Sequence, residues 1–317
     1  MKILTRAETA AFLSANDHYV ILTHARPDGD TIGSAAALCL GLRSLGKTAH
    51  VLENPGVSPR FRWLHEGLTV TAPGENDCIV SVDVASPGIL PEEFKFLLGR
   101  VRLRIDHHGS ATSFSDLELV DPASASCAEI IYDLLTLLGC RMDKKTAEAV
   151  YVGTSTDTGC FRYANTTAHT FTTAAACAQA GAGIFELNTE LFETNTLAKL
   201  KMQGWIVAHM KLLSGGKLCV CPIPRRVEEE MGVTGDDMDN ISSFPRTVAG
   251  VCMAATLREA ENGDIKLSVR AVPGYDATRI TVPFGGGGHK GAAGGTLKMT
   301  LEEAAQAVER VMLEQIS

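Results

Sequence analysis

Apolar and polar positions in this chain follow two periodicities, and the first half switches repeatedly between them. Apolar runs of strand length end abruptly in polar residues at 19–23 (YVILT) before His24, 78–82 (CIVSV) before Asp83 and 101–105 (VRLRI) before Asp106. Such near-continuous runs read as parallel strands buried on both faces. Between them the spacing turns helical. Residues 34–45 (SAAALCLGLRSL) form a helix ending near Gly46, a strand is expected at 48–53 (TAHVLE), and after a loop with Pro55 and Pro59 a short helix starts at Pro91. Alternation of this kind predicts a doubly wound, mostly parallel sheet. From Ser126 to about Gly181 the pattern is helical, with apolar runs at 128–138 and 170–179 on either side of Asp157, which is expected on a helix or the loop after it.

The second half has a different rhythm. Residues 186–212 have no turn cluster beyond Gly204 and carry the spacing of a connecting helix. Strand-length segments follow at 217–223, 248–257 and 264–271, the last two joined by a hairpin turn at 261–264 (ENGD). A helix over 301–313 closes the chain, with Thr300 as N-cap and Glu303 at capping-box spacing. At 317 residues the chain is long for one core. The expected organisation is an α/β domain at 1–187, a helical connector at 188–212 and a smaller α/β domain at 213–317.

Composition narrows the function. Hydrophobic residues make up 45% of the chain and charged residues 21%, the range of globular domains. No apolar run approaches the roughly 18 residues of a membrane span, and the N-terminus has no h-region, so a cytoplasmic protein without a membrane partner is expected. Nine scattered cysteines without a C-x-x-C pair fit reduced, mostly buried thiols and exclude a zinc ribbon. The formal charge of −8 argues against long nucleic acid, which is bound through many Lys and Arg contacts to phosphate. A small anion is still admissible if metal ions make one spot of the surface positive.

Candidate chemistry lies in four short segments: His24-x-x-x-Asp28-x-Asp30, Asp83, Asp106-His107-His108 and Asp157. The first three follow strand-like runs, and open α/β sheets carry their sites at the C-terminal ends of strands. Clustered carboxylates are costly to bury without compensating positive charge, and few basic residues stand beside these segments, so divalent metal is the expected partner. Oxygen and imidazole donors without thiolate favour Mn2+ or Mg2+, with Co2+ also able to bind. Asp106 reads as a residue that orients a ligand.

A second informative segment is 284–295 (FGGGGHKGAAGG). Consecutive glycines let backbone N–H groups approach an anion, and His289 and Lys290 can add charge-assisted bonds. Gly286-x-Gly288-x-x-Gly291 formally matches a dinucleotide fingerprint but stands outside any N-terminal βαβ unit, and His289 breaks the Walker A pattern. Arg26 and Arg162 are expected in salt bridges. His18, His50, His65, His169 and His209, and the Cys219-x-Cys221 pair, are read as ordinary structural residues.

The motifs HARPDGDTIGS (24–34), VDV (82–84), IDHH (105–108), GTSTDTGCFRY (153–163) and GGGGHKGAAG (285–294), in this order, resemble those of a DHH-family phosphoesterase with its DHH-associated second domain. The similarity spans essentially the whole chain and is strongest to the nanoRNase/pAp-phosphatase branch. It implies two Mn2+ ions, one held by His24, Asp28 and Asp83 and the other by Asp30, Asp83, His107 and Asp157, with Asp83 as bridge. It also implies that His108, the glycine loop with Gly287, Gly288 and His289, and Arg270 meet substrate phosphates. Two ions about 3.5–4 Å apart can activate water and clamp a phosphoryl oxygen for in-line displacement. The chain departs from the family at Gly109–Ser110–Ala111, where many relatives carry Asn, and after Asp83, where 84–89 is less polar than usual.

The expected enzyme is a two-metal hydrolase of very short single-stranded RNA or 3'-phosphoadenosine 5'-phosphate (pAp), with substrate held between its domains. Asp83 and His108 are its central catalytic residues. The rival activities are hydrolysis of cyclic-dinucleotide products such as pApA, a family II inorganic pyrophosphatase, whose terminal motif differs, and a nicotinamide oxidoreductase, which has only the glycine match. A nucleotide sensor without turnover would be expected to lack a metal ligand, and none is missing. The sequence leaves open whether the chain forms a homodimer.

Overall fold

The computed structural model describes residues 2–109, 112–238 and 241–315. Of the two family departures, Ser110 and Ala111 lie outside the described residues. The chain divides into two compact units, Met1–Thr194 and Asn195–Ser317. The stretch expected as a connector, 188–212, is shared between them. A π-helical turn at Thr189–Glu193 ends the first unit, and helix Leu197–His209 opens the second.

The first unit is built on a seven-stranded sheet in which every pairing is parallel. Its strands are β1 (Lys2–Ile3), β2 (Tyr19–Leu22), β3 (Ala49–Leu52), β4 (Thr69–Val70), β5 (Cys78–Val82), β6 (Val101–Asp106) and β7 (Leu117–Val120), in the spatial order β1-β7-β6-β5-β2-β3-β4. The helices are α1 (Arg6–Ala15), α2 (Gly29–Ser44), α3 (Cys127–Leu137), α4 (Lys144–Asp157), α5 (Ala168–Gln179) and α6 (Ile184–Asn188). Tyr19, Ile21, Val80, Val82, Leu103 and Ile105 pack against α2, α3 and α4 on one face. Val20, Leu22, Leu52 and Ile79 meet Phe94 and Leu97 on the other. With both faces covered the strands have no polar phase, which is why they read as unbroken apolar runs. The chain leaves β2 in one direction to form β3 and β4, then returns to the opposite side for β5. The strand order therefore reverses between β2 and β5, the position at which doubly wound sheets open a crevice.

Some elements differ from the sequence reading. The segment after Pro91 is a 3-10 helix, Glu92–Arg100, and part of the expected loop after Pro55 is a 3-10 turn, Pro59–His65. The helix expected after Gly33 begins at Gly29, because the Asp28 side chain accepts from the backbone N–H groups of Asp30 and Thr31 and caps it. Strands β1, β4 and β7 have two to four residues each and leave too little pattern to read.

The second unit comprises α7 (Leu197–His209), β8 (Lys211–Leu213), β9 (Leu218–Ile223), α8 (Arg225–Met231), β10 (Met253–Glu259), β11 (Ile265–Ala271), α9 (Thr278–Thr281), β12 (Gly287–His289), β13 (Ala292–Leu297) and α10 (Leu301–Glu314). Its six strands lie in the order β12-β13-β11-β10-β9-β8, with only β9 and β10 parallel. The expected hairpin joins β10 to β11, and the Thr300–Glu303 capping box starts α10. Ala304, Val308 and Met312 of α10 cover one face of the sheet. Met202 and Ile206 of α7 pack on Cys221 and Ile223. No helix among the described residues is long and apolar enough to cross a membrane.

Candidate metal centre

Three strand ends and two helix ends converge at the crevice of the first unit. Beyond β2, the Asn54 amide donates to Thr23 Oγ1 (2.9 Å) and to the His24 carbonyl (2.8 Å), pinning the turn that carries His24. Asp28 and Asp30 sit at the N-terminus of α2, and Asp157 is the last residue of α4. These helices meet where side chains are missing. A Cβ on Gly33 would lie 2.4 Å from the Ala149 carbonyl oxygen, and one on Gly153 would lie 2.5 Å from the Ala128 Cβ and 2.9 Å from Asp30 Oδ1. Glycine at these two positions lets α2, α3 and α4 approach closely enough for Asp30 and Asp157 to share one site.

Each carboxylate is held by its surroundings. Asp30 is buried, and its two oxygens accept from the N–H groups of Cys127 (2.7 Å) and Ala128 (2.9 Å) at the start of α3, where the helix dipole favours negative charge. Asp83 follows β5 with φ at 56°, a left-handed conformation that non-glycine residues rarely adopt. Such strain concentrates at functional positions. Its Oδ2 accepts from Thr31 Oγ1 (2.5 Å), while its buried Oδ1 has no hydrogen-bond partner among the described residues. Asp106 Oδ1 accepts from the N–H groups of His107 (2.8 Å) and His108 (3.1 Å) and lies 2.8 Å from His108 Nδ1. That arrangement fits the orienting role expected of Asp106 and leaves the Nε2 edge of His108 out of the bond.

The sequence candidates come together in three overlapping groups: His24, Asp28 and Asp83; Asp30, His107 and Asp157; and Asp83, His107 and His108. Within each group, one potential ligand atom per residue lies within 4.8 Å of the others. His24 Nε2 is 3.9 Å from Asp28 Oδ1 and 3.8 Å from Asp83 Oδ2. His107 Nε2 is 3.6 Å from Asp83 Oδ1, 3.8 Å from Asp30 Oδ2 and 3.7 Å from Asp157 Oδ2. These separations are too long for hydrogen bonds. They suit donors around a common ion, since atoms bound at ~2.1 Å to one octahedral centre lie roughly 3 to 4 Å apart.

Electrostatics favour the same partner. Burial, reinforced by the other Asp residues, pushes the carboxyls of Asp30 and Asp83 above the usual range and Asp157 up to about 8. Burial pushes the His24 imidazole down, while the hydrogen bond to Asp106 pushes His108 up. A cluster that repels its own charge, with the buried Asp83 Oδ1 unpartnered among the described residues, is matched by divalent cations. Its donors are oxygen and imidazole nitrogen, and they fit such ions.

Of the few basic residues beside these segments, Arg104 stands behind the site, buried on β6. Its guanidinium donates to Glu118 Oε2 (2.8 Å) and stands 3.6 Å from Asp106 Oδ2. Burial raises the Asp106 carboxyl, but its hydrogen bonds and charge interactions with His108, aided by Arg104, outweigh this and hold it below the usual range. Arg104 therefore supports Asp106, not the metal-facing carboxylates. An Arg inside an apolar strand, two residues before Asp106, was the available signal. Thr31 and the N-terminus of α3 had none, because their role depends on helix packing.

In the second unit, the glycine segment expected as a loop is largely strand. Gly287, Gly288 and His289 form β12 and pair with Gly294, Ala293 and Ala292 of β13. Gly288 has φ at 139°, and a Cβ there would lie 2.6 Å from the Ala292 carbonyl oxygen. Ala292 also pairs with Arg270 on β11. His289, Ala292 and Arg270 thus form one cross-strand row, which directs the two basic side chains to the same face of the sheet.

Residues 18–154 match the DHH family, N-terminal domain, and residues 215–314 match the DHHA1 domain. Over 307 residues the chain is 34% identical to the bifunctional oligoribonuclease and PAP phosphatase NrnA of Thermus thermophilus, covering 94% of this chain and 90% of that protein. The chain belongs to the DHH family. It is a DHH phosphoesterase in which His24, Asp28, Asp30, Asp83, His107 and His108 fall inside the DHH match, and Arg270 and His289 inside the DHHA1 match. The Bacillus subtilis protein of the same name is 26% identical, covering 92% of this chain and 93% of that one. An exopolyphosphatase-related protein from Bacteroides fragilis shares the fold, with a TM-score of 0.83 at 24% identity over 98% of this chain and 95% of that one.

Proposed function

We propose that this DHH phosphoesterase hydrolyses short oligoribonucleotides and pAp with two divalent ions. The observation that carries the reading is the sharing of Asp83 between overlapping donor groups at the crevice of the parallel sheet. It is supported by similarity to proteins named for both activities. In this reading His24, Asp28 and Asp83 hold one ion, and Asp30, Asp83, His107 and Asp157 the other. Mn2+ is the preferred metal, with Mg2+ and Co2+ as substitutes. When bound, such a pair supplies Lewis acidity toward the phosphoryl oxygen and a nucleophile drawn from water at neutral pH.

The chain's own groups do the rest. Asp83 fixes the spacing of the two donor sets, and its strained backbone aims both carboxylate oxygens at the crevice. His108, held through Nδ1 by Asp106, whose hydrogen bond pushes its pKa up, presents its Nε2 edge to the phosphoryl group or to the departing oxygen. Arg270, His289 and the backbone of Gly287 and Gly288 grip a phosphate that is not cleaved, so the binding energy of a nucleotide supports turnover. We assign the enzyme to the cytoplasm, where its nine free cysteines stay reduced. The test is product analysis after incubation with Mn2+ and a panel of dinucleotides, pAp, pApA, cyclic dinucleotides and pyrophosphate. Mononucleotides from the dinucleotides and AMP from pAp are expected. Turnover of pyrophosphate or cyclic dinucleotides alone would overturn the reading.

A further inference from the structure

A cavity of about 330 Å3 in the second unit is lined by neither Arg270 nor His289. Its wall includes Met253, Tyr275, Asp276, Arg279, Lys290 and Gln315. Lys290 follows His289 in the turn between β12 and β13, and the Ala277 N–H donates to the Lys290 carbonyl at 2.7 Å. The cavity is thus joined by backbone to the glycine hairpin. Met253 is buried, and Tyr275 packs partly into the core, so one side is apolar and aromatic. Arg279 and Lys290 bring two cations against one carboxylate. That carboxylate, Asp276, is already engaged, accepting from Thr278 N (3.0 Å) and Thr278 Oγ1 (2.5 Å). Arg279 Nη1 is 3.4 Å from Gln315 Oε1, a weak contact that leaves its positive charge uncompensated by that partner.

A net positive rim over an aromatic and thioether wall, on a chain of net charge −8, has a definite chemical preference. The ligand should carry an anion for Arg279 and Lys290 and a flat apolar ring for Tyr275. The volume lies at the lower end of the range for small-ligand sites, roughly 300–1,000 Å3. We propose that this cavity binds a nucleoside monophosphate unit, with the base against Tyr275 and the phosphate between Arg279 and Lys290. Two sources share that chemistry: a nucleotide of the oligoribonucleotide substrate remote from the cleaved bond, or a free mononucleotide. Only the first source rests on the function proposed above.

The test uses the full chain and radiolabelled AMP in equilibrium dialysis, with chelator present to weaken binding at the metal centre. Tyr275→Ala and Arg279→Glu alter exposed or half-buried positions, and Tyr275→Phe keeps the ring. AMP should bind the wild type and Tyr275→Phe alike, with at least tenfold weaker binding in the other two variants, and excess inorganic phosphate should compete only partially. Absence of binding, or binding unchanged in both damaging variants, would overturn the proposal. KM values for pAp and a pentaribonucleotide then separate the sources. A KM rise in Arg279→Glu confined to the longer substrate identifies the substrate's own nucleotide, and unchanged KM values with lost AMP binding identify a free one. Should the wild type hydrolyse neither compound, the proposed function fails while the dialysis still decides the cavity.

Discussion

The candidate metal centre of the first unit and the glycine hairpin proposed to bind phosphate in the second place their groups in opposite ways. The first draws on residues from 24 to 157; Asp30 and Asp83 are buried and Asp157 half-buried, and burial, reinforced by their crowding, raises all three in pKa. The hairpin uses adjacent residues, is exposed at Gly287–His289, and relies on backbone geometry that glycine alone tolerates. Concentrating negative charge requires a rigid scaffold to hold groups that repel one another. Receiving a substrate phosphate requires only close approach and a few donors. Mutations should therefore damage chemistry in one region and recognition in the other.

The sharpest test is Asp83. Asp83→Ala should release both ions and lower turnover by about a thousandfold or more, beyond the effect of His24→Ala or Asp157→Ala, because only this carboxylate belongs to both proposed sets. Elemental analysis beside kcat measures it. A variant that keeps two ions per chain and a near-normal rate would sink the assignment. Asp83→Asn should also melt at a higher temperature than wild type in chelator, since it removes a buried charge with no compensating ion.

In the hairpin, Gly288→Ala forces a Cβ against the Ala292 carbonyl and should cost about 10- to 100-fold in kcat/KM on a dinucleotide while metal content stays unchanged. His289→Ala should harm the dinucleotide far more than a small chromogenic phosphodiester, which has no remote phosphate to grip. Equal losses on both substrates would move His289 into the metal-centred chemistry and erase the contrast between the regions.

Substrate length comes next. A net charge of −8 argues against a long basic track, so kcat/KM should be highest for about two to four nucleotides and fall several-fold with length at fixed salt. A rate that climbs with length and depends strongly on salt would reveal a basic groove instead.

The smallest expected effect is on melting temperature. A carboxyl whose folded pKa is raised, like those of Asp30, Asp83 and Asp157, binds more protons folded than unfolded. It therefore subtracts stability as pH rises from its unfolded value of about 4 through its folded value. For Asp157 that window ends at about 8. Metal binds the ionised form, so the Tm gain on adding Mn2+ should be larger at pH 8 than at pH 6 by calorimetry. A gain that shrinks with rising pH would contradict the raised carboxyls.

Residues 19–23, 78–82 and 101–105 declared themselves as buried strands because parallel strands covered on both faces cannot hide their apolar character. The polar residue ending each run was equally visible, so His24, Asp83 and Asp106 were legible as strand-end groups. The capping box at Thr300 and the hairpin at 261–264 were legible because their chemistry is complete within a few residues. The sequence by itself therefore determined the strand-end chemistry and the local signals. Tertiary structure alone decided that β2 and β5 are neighbours across the reversal of strand order, that Gly33 and Gly153 let the helices close on Asp30, and that Thr31 reaches Asp83. It alone also brought Glu118 to the Arg104 guanidinium and aligned Arg270 with His289 through Ala292. These relations join residues far apart in the chain, and neither periodicity nor local propensity carries information about which distant surfaces will pack together.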